Sequence, residues 1–148
     1  MNTSSFEINN AESFFHQMVK PQYESFLVKN SSSRHALLST ILLYHLYEWV
    51  NPGEKFTIER FIKRYPDSFH LADSFEMARD ITNGFKHFKV KPTTTRCQSG
   101  FSSTFSNRFV RPLIIISPSG LEISADDFLK QMFDFWNEQI QIISTVKA

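Results

Sequence analysis

The chain has 148 residues and a formal net charge of +1; 41% of its residues are hydrophobic and 21% are charged. This length and composition predict one globular domain over residues 1–148, and the near-zero charge gives no whole-chain argument for a polyanionic partner. Cys97 is the only cysteine, which excludes an internal disulfide and a zinc site built on several cysteines. The first residues lack the basic-then-apolar order of a signal peptide, and the most apolar run is too short to span a bilayer. We therefore expect a cytoplasmic protein with no membrane contact.

The N-terminal third predicts two helices after a loose start at residues 1–9. The first begins near residue 10, with Asn9 and Glu12 placed as a capping box, and Pro21 is expected to break or kink it. The second, "SSSRHALLSTILLYHLYEWV", follows serines that are good N-caps and stops at the sequence "NPG". Because this helix is apolar nearly all round, we expect it at the centre of the fold.

The remaining residues predict helices on either side of a β-hairpin. A short helix in "TIERFIKRYPD", with Thr57 as its N-cap and Pro66 at its end, precedes a long helix in "SFHLADSFEMARDITNGFKHFKVKP", which Pro92 closes. Residues 93–124 are predicted to form a basic Ser/Thr-rich segment and two short strands about a Pro-Ser-Gly turn, and Ser124 caps the last helix. The predicted fold is mainly α, a helical bundle of about five helices with a small β-hairpin inserted before the C-terminal helix.

Positive charge is concentrated in residues 79–111, where seven bases stand against one acid. The bases are Arg79, Lys86, Lys89, Lys91, Arg96, Arg108 and Arg111. Cations beside hydroxyl groups and aromatic rings suit contacts with a nucleic-acid backbone and its bases, so the six bases from Lys86 to Arg111 are candidate RNA-binding residues. The alternative is a solvated segment whose charges balance the more acidic remainder of the chain.

The helix that contains "ARDITNGFKHF" carries a polar stripe opposite an apolar face. Asp80, Asn83 and His87 fall about one turn apart, whereas Ile81 and Phe85 gather on the other side. The stripe is either a binding site whose side chains contact one ligand or the solvent-exposed face of an amphipathic helix.

The central helix offers partners for that stripe. Arg34, His45 and Glu48 fall on one of its sides as ligand or supporting residues, although a histidine on so apolar a helix also suits a hydrogen-bonded core position. If the two helices face each other, His45 and Glu48 approach Asp80 and His87, and imidazole and carboxylate groups bind transition metals. The repeated Glu-x-x-His of di-iron bundles does not occur, so we predict no metal and no cofactor, and a metal enzyme is the weakest alternative.

Residues 31–91 resemble the HEPN superfamily, whose signature is an Arg and a His on the same helix with four to six residues between them, the first of which is usually polar. Arg79, Asp80 and His87 follow this order, with seven residues between the Arg and the His. HEPN proteins are small and all-α, are often encoded in bacterial toxin–antitoxin and phage-defence loci, and many are metal-independent ribonucleases whose catalytic helices pair across a homodimer. The resemblance implies an RNA-binding protein with Arg79, Asp80, Asn83 and His87 as catalytic residues, and an antitoxin or another protein as a partner.

The ribonuclease that this resemblance implies would use ordinary side-chain chemistry. His87 acts as general acid or base, because its pKa lies near the working pH, and Arg79 stabilises the charge that develops on the phosphate. Asn83 adds a donor, and Asp80 orients a neighbour. The main alternative is a non-catalytic binding or assembly module that acts through a protein partner or a homodimer, with the two tryptophans and exposed phenylalanines at the interface.

Overall fold

The computed structural model of the chain describes residues 6–87, 93–97 and 113–147. These residues form a mainly helical fold with a small three-stranded antiparallel sheet, which confirms the predicted mainly α class; the bundle arrangement stays a prediction. The helical elements are α1 (Ala11–Phe14), a π-helical segment (Phe15–Val19), α2 (Lys20–Val28), α3 (Ser33–Val50), α4 (Ile58–Arg64), a 3₁₀ segment (Pro66–Leu71), α5 (Ala72–His87) and α6 (Ala125–Lys147), and the strands are β1 (Thr94–Cys97), β2 (Leu113–Ile116) and β3 (Glu122–Ser124). None of the helices within the described ranges combines the length and the apolar character needed to cross a membrane.

Helical structure runs without interruption from Ala11 to Val28, so of the predicted break or kink at Pro21 the break does not occur. Just before the proline the chain widens: the Lys20 N–H bonds the carbonyl of Phe15, five residues earlier, and Pro21 then occupies the first turn of α2. The wider π turn relieves the clash that a proline ring makes with the preceding turn of a regular α-helix. The π-helical segment therefore accommodates a residue that would otherwise end the helix.

The capping box at the start of α1 is formed by Asn10 and Ser13, one residue later than the predicted pair Asn9 and Glu12. The Asn10 side chain accepts a bond of 2.7 Å from the Ser13 N–H, and the Ser13 hydroxyl accepts one of 3.1 Å from the Asn10 N–H. Glu12 instead accepts a hydrogen bond of 2.7 Å from the Lys147 ammonium group. This ion pair ties the start of α1 to the end of α6.

Helix α3 lies at the centre of the fold, as its apolar sequence predicts, and packs against α1, α2, α5 and α6. The Ser32 hydroxyl caps it by accepting a bond of 3.2 Å from the His35 N–H, and the helix ends at Val50. In its middle, the carbonyl of Leu43 accepts a bond of 2.9 Å from the buried indole N–H of Trp136. This bond fixes α6 against α3.

Helices α4 and α5 follow the predicted order with a shifted boundary. Thr57 is the N-cap of α4, as predicted, and its hydroxyl accepts a bond of 3.1 Å from the Arg60 N–H. Pro66 follows the end of α4 but starts a 3₁₀ segment, so α5 begins at Ala72 and not at Ser68, where the predicted helix starts. A proline is well tolerated in a first helical turn, which explains why helical structure resumes there.

The buried face of α5 differs from the predicted one. Phe75, Ala78 and Thr82 are buried, whereas Ile81 is half-buried and Phe85 is 62% exposed. On an ideal helix the observed face is rotated by roughly 70° from the predicted one. The core side of α5 follows the helices against which it packs, chiefly α3, and not the positions of its largest apolar residues.

Aromatic side chains fill much of the core of this chain, which has 16 phenylalanines. The ring centroids of Phe61 and Phe135 lie 4.8 and 5.7 Å from that of Phe75, and Trp136 meets Phe75 edge to face at 5.7 Å. Aromatic pairs in such geometries contribute about 0.5–1.5 kcal/mol each beyond the burial of their area. Helices α4, α5 and α6 therefore meet at one aromatic cluster.

The sheet has the strand order β1-β2-β3, with both pairings antiparallel. Strands β2 and β3 form the predicted hairpin, whereas β1 lies in a stretch for which no strand is predicted. In the hairpin turn the Gly120 N–H bonds the Ser117 carbonyl at 2.9 Å, and Gly120 has a φ of +89°. This pattern is typical of a three-residue hairpin loop that ends in a glycine bulge.

Candidate nucleic-acid interface

Arg79 lines an open cleft of about 430 Å³ between α4 and α5. The other lining residues come from the start of α4, from the loop before it and from one turn earlier on α5: Phe56, Thr57, Ile58, Glu59, Arg60 and Glu76. Arg79 follows the buried Ala78 at the edge of the core face of α5 and is half-buried. Its guanidinium group is therefore held in the cleft wall and does not extend freely into solvent.

The Arg79 guanidinium group is held on one side and keeps an unused donor on the other. Its Nη2 pairs with Oε1 of Glu76, one turn earlier on α5, and this hydrogen bond is the main reason why the pKa of Arg79 is raised. Its Nε is buried and has no hydrogen-bond partner within the described ranges. Leaving a buried donor without a partner costs about 1–3 kcal/mol, so a small shift of the side chain that exposes the Nε to an acceptor in the cleft is favoured.

A second arginine lines the same cleft from α4. The Arg60 Nη1 donates a bond of 3.0 Å to the carbonyl of Lys55, which steadies its side chain. Glu59 and Glu76 also line the cleft, so the formal charges of its two arginines and two glutamates cancel. The cleft therefore presents hydrogen-bond donors and acceptors side by side. The sequence did not indicate Arg60, because this residue lies outside the basic stretch. Only the packing of α4 on α5 brings it into the same cleft as Arg79.

The polar stripe of α5 divides into residues with different surroundings. Asp80 accepts a bond of 2.9 Å from the hydroxyl of Thr93, a buried residue just before β1. Asn83 is half-buried, and His87 is the last residue of α5, with a side chain that lies outside what the structure describes. Of the described side chains in the predicted catalytic set, Arg79 alone lines the cleft. Asp80 has a structural contact of its own.

Three of the seven bases between residues 79 and 111 lie in the described ranges. Arg79 pairs with Glu76, Arg96 on β1 pairs with Glu122 on β3, and Lys86 is exposed on α5. The other predicted RNA-binding residues, Lys89, Lys91, Arg108 and Arg111, lie outside the described residues. Two of the three cations are thus paired with acids of the same chain, as the charge-balancing alternative expects.

Comparisons of the chain with protein-family models, with curated proteins and with solved structures give no match.

His45 and Glu48 line a different cleft, between the end of α3, the start of α1 and the end of α6. His45 is exposed, so it is not a hydrogen-bonded core residue, and Arg34 is exposed in the first turn of α3. Desolvation lowers the pKa of His45, and the nearby carboxylate of Glu48 opposes this shift with a smaller effect. Within the described ranges, no three His, Cys, Asp or Glu side chains are grouped so as to hold a metal ion.

A third cavity, of about 350 Å³, lies between α3, α5 and the sheet. Its lining is mostly apolar and includes Leu37, Ile81 and Ile114, with Thr40 and Arg96 as polar members. The size falls within the range of small-ligand pockets. No periodic pattern signals this cavity, because its walls come from elements far apart in sequence.

Proposed function

We propose that the protein is a HEPN-like RNA-binding protein whose cleft between α4 and α5 receives the sugar–phosphate backbone. The observation that carries the proposal is the buried Arg79 Nε, which has no hydrogen-bond partner within the described ranges while Glu76 holds the same guanidinium group in place. A fixed arginine with an unused donor suits a phosphate oxygen, since guanidinium groups bind phosphate through parallel N–H bonds.

RNA also suits the acceptors of this cleft. Glu59 and Glu76 are carboxylates beside Arg60 and Arg79, and a ligand that is only anionic would be repelled by them. RNA carries 2′-hydroxyl donors next to its phosphates, and these groups are what a protein uses to distinguish RNA from DNA. Lys86, exposed two turns after Arg79, adds a cation roughly 10 Å further along α5 for a neighbouring phosphate.

The catalytic form of the proposal is a metal-independent ribonuclease of a toxin–antitoxin or phage-defence system. In it, His87 moves the proton and Arg79 stabilises charge on the phosphate, with Asn83 as a further donor. The resemblance to HEPN proteins supports this form. It also implies that the protein is bacterial and cytoplasmic, that it forms a homodimer of helical bundles, and that an antitoxin is its partner.

A non-catalytic assembly module is the second candidate. The observation that favours it is Phe85, a large apolar side chain that is 62% exposed near the end of α5. Aromatic residues are enriched in protein interfaces, so a partner that covers Phe85 would remove an apolar ring from water. Dimers that form with rising protein concentration and are indifferent to RNA would support this candidate over the first.

The test of RNA binding is fluorescence anisotropy with a labelled single-stranded RNA and a DNA of the same sequence, over a range of salt concentrations. We expect RNA to bind more tightly than DNA, and Arg79→Gln to weaken RNA binding by about 10- to 150-fold, since hydrogen bonds to charged groups contribute about 1.5–3 kcal/mol. The slope of log K against log salt should fall by about 0.7 for each phosphate contact that is lost. Arg60→Gln should act in the same direction.

The matched control is Arg64→Gln, which removes a cation from the same helix as Arg60. Arg64 pairs with Glu54 at 2.9 Å and does not line the cleft. Thermal unfolding of each variant separates loss of binding from loss of fold. Equal losses in Arg64→Gln and Arg79→Gln, or wild-type affinity in Arg79→Gln, would contradict the proposed site.

The ribonuclease form is tested separately by RNA cleavage in the presence of a chelator, and unchanged cleavage by His87→Ala would rule it out.

A further inference from the structure

The cleft that contains His45 holds an aromatic surface which the proposed phosphate contacts do not use. The cleft has a volume of about 720 Å³ and is open to solvent. Trp49 of α3 lines it, together with Asn10 at the start of α1 and Lys147 at the end of α6. It is thus built from three elements that are distant in sequence and that the core holds together.

Trp49 is supported from behind by Phe14. The two ring centroids lie 4.6 Å apart with 13° between the ring planes, and Phe14 is buried whereas Trp49 is half-buried. Phe14 covers one side of the indole and does not line the cleft. The indole therefore faces the cleft with its remaining surface, and its orientation is fixed before any ligand arrives. A preoriented ring is the usual platform on which single-stranded nucleic acids stack their bases.

The polar groups around Trp49 suit the edges of a base. His45 and Glu48 line the same cleft from the preceding turn of α3, and they offer an imidazole and a carboxylate. Lys147 is already paired with Glu12 at 2.7 Å, so the groups described offer no unpaired cation in this cleft. The Glu48 carboxylate therefore stays unpaired among the described side chains of this cleft; it can accept hydrogen bonds from the N–H groups of a base edge, and its negative charge disfavours an acidic peptide.

One loop separates this cleft from the cleft of Arg79. Pro52 and Gly53 line the former, and Phe56 and Thr57, a few residues further along the loop, line the latter. The two clefts are thus adjacent along the chain, one on each side of the loop between α3 and α4 in sequence.

We infer that the cleft at Trp49 binds one base of a single-stranded RNA by stacking on the indole ring. This inference rests on the proposed RNA binding and specifies its substrate as single-stranded, because the bases of a duplex are already stacked and paired inside the helix.

Intrinsic tryptophan fluorescence tests this inference directly. The chain has two tryptophans, and Trp136 is fully buried, with its indole N–H bonded to the Leu43 carbonyl. Stacking of a base on Trp49 should therefore quench the solvent-exposed part of the emission when a single-stranded RNA is added. The quenching should disappear in Trp49→Phe, in which only the buried Trp136 emits, and double-stranded RNA of the same sequence should produce none.

Affinity provides the second measurement. We expect Trp49→Leu to weaken binding of the single strand by about 5- to 150-fold, which corresponds to the ~1–3 kcal/mol of one base stacked on an aromatic side chain. Phe69→Leu is the matched control, because Phe69 is also an exposed aromatic residue, at 62%, and does not line the cleft. Trp49→Phe keeps a ring and should lose less affinity than Trp49→Leu.

Failure of this inference can be told apart from failure of the proposed function. If the wild type binds the single strand without quenching, or if Trp49→Leu binds as tightly as Phe69→Leu, the stacking site is wrong while RNA binding stands. Quenching by double-stranded RNA to the same extent would also contradict it. If the wild type binds no RNA at all, the proposed function itself is wrong. Quenching by an apolar peptide and not by RNA would assign the cleft to a protein partner and overturn the inference.

Discussion

The hydroxyl of Thr93 donates a hydrogen bond of 2.9 Å to the carboxylate of Asp80. Thr93 is buried immediately before β1, and Asp80 lies in the second half of α5, so the bond joins the helical part of the fold to the sheet. The resemblance to HEPN proteins places Asp80 next to the catalytic arginine, whereas this contact indicates a structural task. The two roles make different predictions.

We expect the Asp80–Thr93 bond to contribute to the free energy of unfolding. Thr93→Val keeps the shape of the side chain and removes the donor, and it should lower the free energy of unfolding by about 1 kcal/mol. A double-mutant cycle with Asp80→Ala, measured by urea unfolding, should give a coupling energy of similar size. Thr94→Val is the control, because the neighbouring Thr94 is exposed and should tolerate the same change. A coupling energy near zero would mean that Asp80 does not act through Thr93.

Sequence patterns predicted those elements whose signals are local. The serines before α3 and the "NPG" after it mark both ends of that helix, and the Pro-Ser-Gly turn marks the β2–β3 hairpin. Strand β1 gave no such signal, because "TTRC" has no alternation and becomes a strand only through pairing with β2. The core face of α5 was mistaken because Thr82, a small polar residue, is buried, and Phe85 is not.

In the candidate site, too, the sequence predicted single residues but not the neighbours that tertiary packing brings to them. The resemblance to HEPN proteins identified Arg79 as a catalytic candidate, and the residue lines a cleft between α4 and α5. Its neighbours in that cleft, Arg60 and Glu59, come from α4, and the approach of two helices is set by core packing that no local pattern records. Trp49 was predicted only as part of an interface, since its stack on Phe14 joins residues 35 positions apart.

The bond from Trp136 to the carbonyl of Leu43 predicts a strong asymmetry between the two tryptophans. Trp136→Phe removes the indole N–H and leaves a small void at a fully buried position, so we expect a loss of about 1–3 kcal/mol in the free energy of unfolding. Trp49→Phe is the control: Trp49 is half-buried and keeps an aromatic contact with Phe14, and it should lose less. Urea unfolding followed by circular dichroism measures both. Equal losses in the free energy of unfolding would show that the hydrogen bond of Trp136 adds no stability beyond that of a partly exposed aromatic contact.

The turn between β2 and β3 should depend on the backbone conformation of Gly120. Its φ of +89° is unfavourable for a residue with a Cβ, although no atom lies within 4 Å of the position that a Cβ would occupy. We therefore expect Gly120→Ala to destabilise the protein by about 1 kcal/mol through strain alone. Gly120→Asn should cost less, because asparagine adopts positive φ more readily than alanine. Equal costs of the two substitutions in thermal unfolding would mean that the turn changes its conformation.

The tyrosines should make the fold lose stability in alkaline solution. Burial, helped by donation to Glu54 at 2.9 Å, raises the pKa of Tyr47 to about 12, and burial also raises the pKa of Tyr23, Tyr44 and Tyr65. Above pH 10 the unfolded chain releases phenolic protons that the folded chain retains, so the unfolded state is increasingly favoured as the pH rises towards 12. The urea midpoint should fall between pH 9 and pH 11, and Tyr47→Phe, although less stable at pH 9, should show a smaller fall. An identical fall in Tyr47→Phe would mean that Tyr47 titrates alike in both states.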